Sequence, residues 1–238
     1  MPKLAVSLDQ IAALRESRRG ATPDPVAAAF AAEMAGADAL VVHLRSDRRH
    51  IQERDVEILR RTVTAPLHLV SAATSEATRA TATVKPDSVT LVPERREEVT
   101  TEGGLDILLN AGLIDRLVTT IRESEFRVTL LVEPDLDQIR AAAKISADGV
   151  MINTRHFAEA EASAAAEREL LRLQEAVRGA SRLKLRVSVG LGLTYAAAEA
   201  VARIPDVAEI RVGHAVVARA CLVGLDRAVR EMKAIVVG

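Results

Sequence analysis

The sequence predicts a single-domain (β/α)8 barrel over residues 1–238. Short runs of apolar and β-branched residues alternate with amphipathic or Ala-rich segments about eight times, which is typical of this fold. The length suits one such barrel, and no Gly/Ser/Pro-rich linker divides the chain. A doubly wound open sheet would need a Gly-rich turn after its first strand, and Leu8-Asp9-Gln10-Ile11-Ala12 contains no glycine. We therefore favour the barrel.

Eight strands are predicted from short apolar runs, as expected for strands covered on both faces. They span residues 3–8, 39–44, 66–70, 88–92, 127–132, 149–153, 183–189 and 209–212. Residues 9–24 are predicted to form a polar loop. The first helix begins at Pro25 with Asp24 as its N-cap and ends at Gly36. The helices are predicted over 25–35, 55–63, 76–84, 105–121, 136–145, 160–177, 196–204 and 215–236.

The composition excludes several classes of partner. Lys and Arg number 32 against 33 Asp and Glu, which gives a net charge of −1 and argues against nucleic-acid or polybasic membrane binding. One Tyr, three Phe and no Trp provide no stacking platform for nucleic acid. The apolar run near Met1 is too short for a signal peptide or a membrane span, so we expect a cytoplasmic protein that acts on small metabolites. The single cysteine, Cys221, is expected to be a small core residue in a reducing compartment.

Cationic side chains gather where the second predicted strand ends, in His43-Leu44-Arg45-Ser46-Asp47-Arg48-Arg49-His50. Alternation along the strand places Val41, His43 and Arg45 on one face. Ligands of parallel α/β proteins bind at this edge, where Arg suits a phosphate and His exchanges a proton near neutral pH. A solvated, charged loop would have the same composition, so this segment alone leaves both readings open.

Other strand ends carry polar or Gly-rich segments. The first strand offers Ser7 and Asp9 on one face. The long segment after the fourth strand contains Thr100-Thr101-Glu102-Gly103-Gly104, whose hydroxyls and flexible glycine backbone could coordinate phosphate oxygens. The last two strands lead into Gly190-Leu191-Gly192-Leu193-Thr194-Tyr195 and Gly213-His214. Each glycine alone is compatible with a tight turn, but their coincidence at two consecutive strand ends favours phosphate binding. Two clusters, one around Arg45 and His50 and one at Gly192 and Gly213, would suit two phosphorylated substrates.

Several segments together carry a resemblance to one family. They are Leu14-Arg15 with Arg18, Pro23-Asp24-Pro25, His43 to His50, Val92-Pro93-Glu94, Glu97 to Gly104, Gly192 to Tyr195, and Gly213-His214. In these segments the chain resembles the pyridoxine 5′-phosphate synthase family of deoxyxylulose-dependent vitamin B6 biosynthesis. The resemblance implies a (β/α)8 barrel, an octamer, and condensation of 3-amino-2-oxopropyl phosphate with 1-deoxy-D-xylulose 5-phosphate, which releases phosphate and water. It implies no metal and no organic cofactor.

The resemblance also implies roles for individual residues. His43 matches an acid/base position. Asp9, Arg45, His50 and Thr100 match positions that hold the sugar phosphate, whereas Arg18, Gly192, Gly213 and His214 match positions that hold the amino-ketone phosphate.

Five positions depart from the family pattern. The strand-three base is Val70, the strand-six stabilising glutamate is Met151, and the proton-donating histidine between the two glycines is Leu191. Ser7 and Gln10 stand where the family has asparagine and histidine. Apolar side chains transfer no protons, and each lost acid or base removes typically ~10²–10⁴-fold in rate.

Three interpretations remain open from the sequence. The chain still makes pyridoxine 5′-phosphate, with His43 and a substitute such as His68 or Glu102 relaying protons. Alternatively, it is a paralogue that kept its phosphate sites and performs different chemistry in a more apolar pocket. In the third interpretation it binds a phosphorylated metabolite without catalysis; the retained Arg45, His50, Thr100 and His214 argue against this. We adopt the family activity.

Overall fold

The chain forms a closed barrel of eight parallel strands in sequence order. A computed structural model describes residues 1–95, 98, 101–160 and 164–238. The strands are β1 Lys3–Ser7, β2 Ala39–His43, β3 Leu67–Ala72, β4 Ser88–Val92, β5 Arg127–Val132, β6 Gly149–Asn153, β7 Arg186–Gly190 and β8 Glu209–Val212. β1 pairs with β8 in parallel, which closes the sheet. The predicted fold is confirmed.

The helices surround the barrel in the order expected from the sequence. They are α1 Asp9–Ser17, α2 Pro25–Met34, α3 Glu53–Thr62, α4 Ser75–Val84, α5 Ala111–Glu123, α6 Leu136–Lys144, α7 Arg155–Glu159, α8 Ala164–Arg182, α9 Tyr195–Ala202, α10 His214–Val223 and α11 Leu225–Val237. Asp24 caps α2 by accepting from the Val26 amide at 2.9 Å, as predicted.

Three helical predictions were wrong. The polar loop predicted after β1 contains α1, whose buried face is narrow and includes a charged residue, Arg15. The short α7 was missed. The predicted final helix is broken at Gly224, whose φ of 84° ends α10 and precedes α11.

Cys221 is exposed, so its predicted place in the core was wrong. α10 buries Val216 and Val217, and its later residues leave the barrel surface. Among the residues that the structure describes, no helix is both long enough and apolar enough to cross a membrane.

A buried ion pair joins α1 to α3. The Arg15 guanidinium donates to both oxygens of Asp55 at 2.7 Å each, and it also donates to the His50 carbonyl at 3.2 Å. Asp55 in turn accepts from the Gln52 amide at 2.9 Å and so caps α3. The hydrogen bonds that Arg15 donates to Asp55 raise the pKa of Arg15 above its usual range. This pair therefore fixes the segment that carries His50.

We expect Arg15→Met to lower the free energy of unfolding by about 3 kcal/mol, because it leaves the Asp55 carboxylate buried without its charge partner. Urea unfolding measures the change. Arg18→Met is the matched control, since Arg18 is exposed, and its effect should stay within about 0.5 kcal/mol. Equal effects of the two substitutions would contradict a stabilising role for the pair.

Candidate active site

Asp9 connects β1 to β2 at the carboxyl end of the barrel, which we call the mouth. Its Oδ1 accepts from the His43 amide at 2.8 Å, and its Oδ2 accepts from the Ser7 hydroxyl at 2.8 Å. Asp9 is the first residue of α1, where a negative charge is stabilised by the helix dipole. Ser7 and Asp9 thus hold the end of β2 in place.

His43 lies buried at the end of β2, beside Glu94 and His50. Its Nε2 is 3.6 Å from Glu94 Oε2, and its ring centroid is 5.9 Å from that of His50. Burial raises the pKa of Glu94, but His43, the Ser46 hydroxyl and amide, and Arg45 outweigh this effect and hold the pKa at about 2. Glu94 is therefore an anion at neutral pH, and it lies within ion-pair distance of the His43 ring.

The tautomer of His50 follows from its hydrogen bond. The Ile51 amide donates to His50 Nδ1 at 2.8 Å, so a neutral ring carries its proton on Nε2. Burial lowers the pKa of His50, although Asp9 opposes this effect. His50 is thus a neutral hydrogen-bond donor at physiological pH.

Arg45 follows β2 and is only 1% exposed. Its guanidinium donates to both oxygens of Asp47 at 3.1 Å and to the Arg95 carbonyl at 3.2 Å. Its Nη1 is buried and has no partner among the described residues. A buried cationic donor without a partner is costly, and a phosphate oxygen would satisfy it.

The last two strands reach the mouth through glycines. A Cβ on Gly213 would lie 2.6 Å from Gln10 Oε1 and 2.9 Å from Ser7 Cβ, so only glycine fits there. Gly213 also precedes α10, whose first residue is the exposed His214. Gly192 has a φ of 74° and packs against the Arg155 backbone. Gly213 thus lies at the N-terminus of a helix, which is a favourable position for a phosphate group.

One apolar cluster contains the three positions to which the resemblance assigns acid/base or stabilising groups. Met151 packs with Val92 and Leu131, and Val70 and Leu191 pack against them. Leu191 has a φ of 79°, a left-handed conformation that costs a side-chain-bearing residue about 1 kcal/mol. The cluster lies beside His43, because His43 and Val70 are register partners on β2 and β3.

A buried arginine lies beneath this cluster and was not predicted. Arg211 on β8 donates to Glu209 at 2.8 Å, to Thr90 at 2.7 Å and to the Met151 sulfur at 3.8 Å. Its signal in the sequence was the alternation of charged and apolar residues in β8, where Glu209 and Arg211 alternate with Ile210 and Val212.

Hydrogen bonds hold the segment between β4 and α5 across the mouth. Asn153 donates to the Glu102 carbonyl at 3.0 Å and to Glu133 Oε1 at 2.8 Å, and the Gly104 amide donates to the same Glu133 oxygen at 2.8 Å. The Gly104 amide, proposed from sequence for phosphate oxygens, is thus used within the protein. Glu133 and Asn153 were missed because neither belongs to a local motif.

The remaining predicted residues are placed as follows. Arg18 follows α1 and is exposed, with no hydrogen bond or ion pair of its side chain among the described residues. Thr100 lies outside the described residues. His68 contacts Glu209 at 3.1 Å and Ser88 at 2.6 Å near the opposite end of the barrel, so it does not relay protons at the mouth. Glu102 pairs with Arg155 at 3.4 Å.

The fold and the mouth define a (β/α)8-barrel protein with a buried acid/base and cationic pocket for small molecules. Residues 4–238 match the family model described as pyridoxal phosphate biosynthesis protein PdxJ. The chain belongs to this family.

Relatives named pyridoxine 5′-phosphate synthase align along the full chain. The protein from Synechococcus sp. (strain JA-2-3B'a(2-13)) is 52% identical over 236 residues, which is 98% of each chain. That from Geotalea uraniireducens is 47% identical over 232 residues, covering 98% of this chain and 97% of its own.

Solved structures at low identity share the fold alone. A tryptophan synthase chain from M. tuberculosis has a TM-score of 0.65 at 17% identity, covering 99% of this chain and 92% of its own. The phosphoribosylanthranilate isomerase of Thermotoga maritima has a TM-score of 0.62 at 11% identity, and both chains are covered completely.

We expect Gly104→Ala to lower activity by roughly 100-fold, because misplacement by about 1 Å near a site has that scale of effect. The added Cβ would lie 2.4 Å from the Glu133 amide nitrogen and 2.6 Å from the Val132 carbonyl carbon, so the segment must shift. Steady-state kinetics measures the loss. Gly112→Ala on α5 is the control, because its Cβ meets nothing closer than 4.0 Å. Unchanged activity in Gly104→Ala would refute the need for close packing here.

The lowered pKa of His50 predicts a pH dependence of stability. Between the unfolded value of 6.5 and the lower folded value, the unfolded chain binds a proton that the folded chain does not. The contribution of His50 is therefore fully present above about pH 6.5 and is lost as the pH falls. Urea midpoints at about pH 7 and about pH 5 should differ less in His50→Gln than in the parent protein. An identical pH dependence would contradict this assignment.

Proposed function

We propose that the protein condenses 3-amino-2-oxopropyl phosphate with 1-deoxy-D-xylulose 5-phosphate to form pyridoxine 5′-phosphate. Family membership supports the reaction type. For this chain, the proposal rests on the location of the buried polar atoms that have no hydrogen-bond partner. Among the described residues, five buried side-chain atoms lack a hydrogen-bond partner, and they include Gln10 Oε1, His43 Nε2 and Arg45 Nη1. These three belong to the mouth and are available to a ligand.

In the proposed mechanism, His43 transfers protons during imine formation and dehydration. Its Nε2 has no hydrogen-bond partner among the described residues, and the Glu94 carboxylate lies 3.6 Å away. As the resemblance implies, Asp9, Arg45, His50 and Thr100 hold the sugar phosphate. Arg18, Gly192, Gly213 and His214 hold the second phosphate.

The apolar cluster limits this mechanism. Val70, Met151 and Leu191 supply no protons, so His43 must serve steps that several groups share elsewhere in the family. Each missing group removes ~10²–10⁴-fold in rate. We therefore propose turnover that is slow for this reaction type.

A second candidate function is different chemistry on a related phosphorylated substrate. It is favoured by the packing of Val70, Met151 and Leu191 into a single cluster with Val92 and Leu131. Such a surface suits an apolar part of a substrate, because it excludes water from the middle of the mouth.

We further propose a cytoplasmic homo-oligomer, an octamer by family resemblance. Phe30 and Met34 lie one turn apart on α2 and are 61% and 69% exposed, which suits a subunit contact. Light scattering should give a mass near eight times the 25.5 kDa chain. Phe30→Ser should lower that mass; a parent mass of one chain would refute the proposal.

The decisive measurement is formation of pyridoxine 5′-phosphate by the purified protein from both substrates. We expect slow turnover that His43→Gln lowers by about 100-fold or more, because the proton-transfer group is gone. Val70→Glu combined with Leu191→His should raise turnover by restoring an acid and a base.

The matched control is Val70→Gln combined with Leu191→Asn, which adds polarity without a proton-transferring group. Equal gains in both double variants would show that polarity, and not acid/base chemistry, was missing. A contrary result would be a parent protein that binds a substrate but forms no product, while Val70→Glu combined with Leu191→His does form product. In that case the second candidate function replaces the first.

A further inference from the structure

The end of the barrel opposite the mouth contains a cavity of about 100 Å³. Its walls come from the first residues of the strands, including Lys3 of β1, Arg127 of β5 and Arg186 of β7. Side chains alternate along a strand, so Lys3, Arg127 and Arg186 lie on the same inward face of their strands as Ser7, Leu131 and Gly190, respectively. The barrel thus brings three cations from distant parts of the sequence to one opening.

A glycine allows the neighbouring strand to pack closely beside one of these cations. Gly149 begins β6, and a Cβ there would lie 2.5 Å from the Arg186 carbonyl oxygen and 3.2 Å from Arg186 Cβ. Hydroxyl groups of Ser88, Thr129 and Ser188 also line the cavity. The walls therefore combine positive charge with neutral hydrogen-bonding groups.

The negative charges around the cavity are already paired. Glu209 accepts from Arg211 at 2.8 Å and contacts His68 at 3.1 Å, and Asp38 pairs with Lys233 and accepts from the Leu4 amide at 2.7 Å. Although burial raises the pKa of Glu209, His68 and Arg211 outweigh it and hold the pKa at about 2.

The positive charges are in excess. Lys3 and Arg127 make no ion pair among the described residues, and Arg186 reaches Glu209 only at 4.0 Å. Once Arg211 has neutralised Glu209 and Lys233 has neutralised Asp38, Lys3, Arg127 and Arg186 remain uncompensated. His68, the other titratable group in the walls, is occupied by Glu209 and Ser88. Like charges held together repel, and an anion between them would relieve that repulsion.

We infer that this cavity, which the proposed reaction does not use, is a binding site for a small phosphate-type oxyanion held by Lys3, Arg127 and Arg186. Its volume of about 100 Å³ accommodates one inorganic anion and is too small to enclose a nucleotide or a sugar phosphate. Because the three cations are exposed to solvent, binding weakens as salt concentration rises.

The test is equilibrium dialysis of radiolabelled inorganic phosphate against the full-length protein at constant ionic strength. Arg127→Gln combined with Arg186→Gln should reduce the number of phosphates bound per chain by one, or weaken one binding class at least about tenfold. Phosphate bound at the mouth remains in every variant and does not obscure the difference. Glycerol 3-phosphate should not displace the anion from this site.

Two further variants make the result specific. Arg168→Gln combined with Arg178→Gln removes the same charge from exposed positions of α8 and should leave phosphate binding unchanged. Arg127→Lys combined with Arg186→Lys keeps the charges and should retain binding. Identical binding by the parent and the Arg127/Arg186 glutamine variant, or an equal loss in the α8 variant, would overturn the inference. Displacement by glycerol 3-phosphate would overturn its restriction to inorganic anions.

Discussion

The alternation of side chains in a closed parallel barrel is the constraint on which the other features depend. The side chain of every second residue of each strand points into a single narrow interior. A strand that presents a ligand-binding group at its carboxyl end therefore also contributes side chains to the layers of the interior below that group. On β8, Glu209 and Arg211 lie below Gly213, and on β2, Val41 lies below His43. The layers touch, since Arg211 contacts both Thr90 and Met151.

The fold was predictable because each strand is a short apolar run and each helix has a periodic apolar face. The exceptions have physical causes. In α1, one buried position is filled by Arg15, whose partner Asp55 is remote in sequence, so the apolar stripe is incomplete. At the mouth, His43, Asp9 and Gly213 could be predicted from strand ends and the family resemblance. Glu133 and Asn153 could not, because their roles arise only from contacts across strands.

The apolar cluster lies beside the polar network at the mouth. Val70, Met151 and Leu191 pack together with Val92 and Leu131, and Asp9 accepts hydrogen bonds from Ser7 and from the His43 amide next to them. The register of β2 and β3 brings the two groups together, because His43 and Val70 are partners. A ligand at the mouth would therefore contact an apolar wall and a polar wall at once.

The arrangement of side chains in layers also explains why positions 70, 151 and 191 differ in their access to a ligand. Val70 and Leu191 are half-buried at the edge of the cluster, where an ionisable side chain can reach a ligand. Met151 is buried, and its sulfur already contacts the Arg211 guanidinium. A glutamate at position 151 would therefore pair with Arg211 before it met a substrate, and its charge would be neutralised. Because Arg211 and Met151 are in contact, a charged group introduced on β6 at position 151 would be free to meet a ligand only if Arg211 on β8 were also changed.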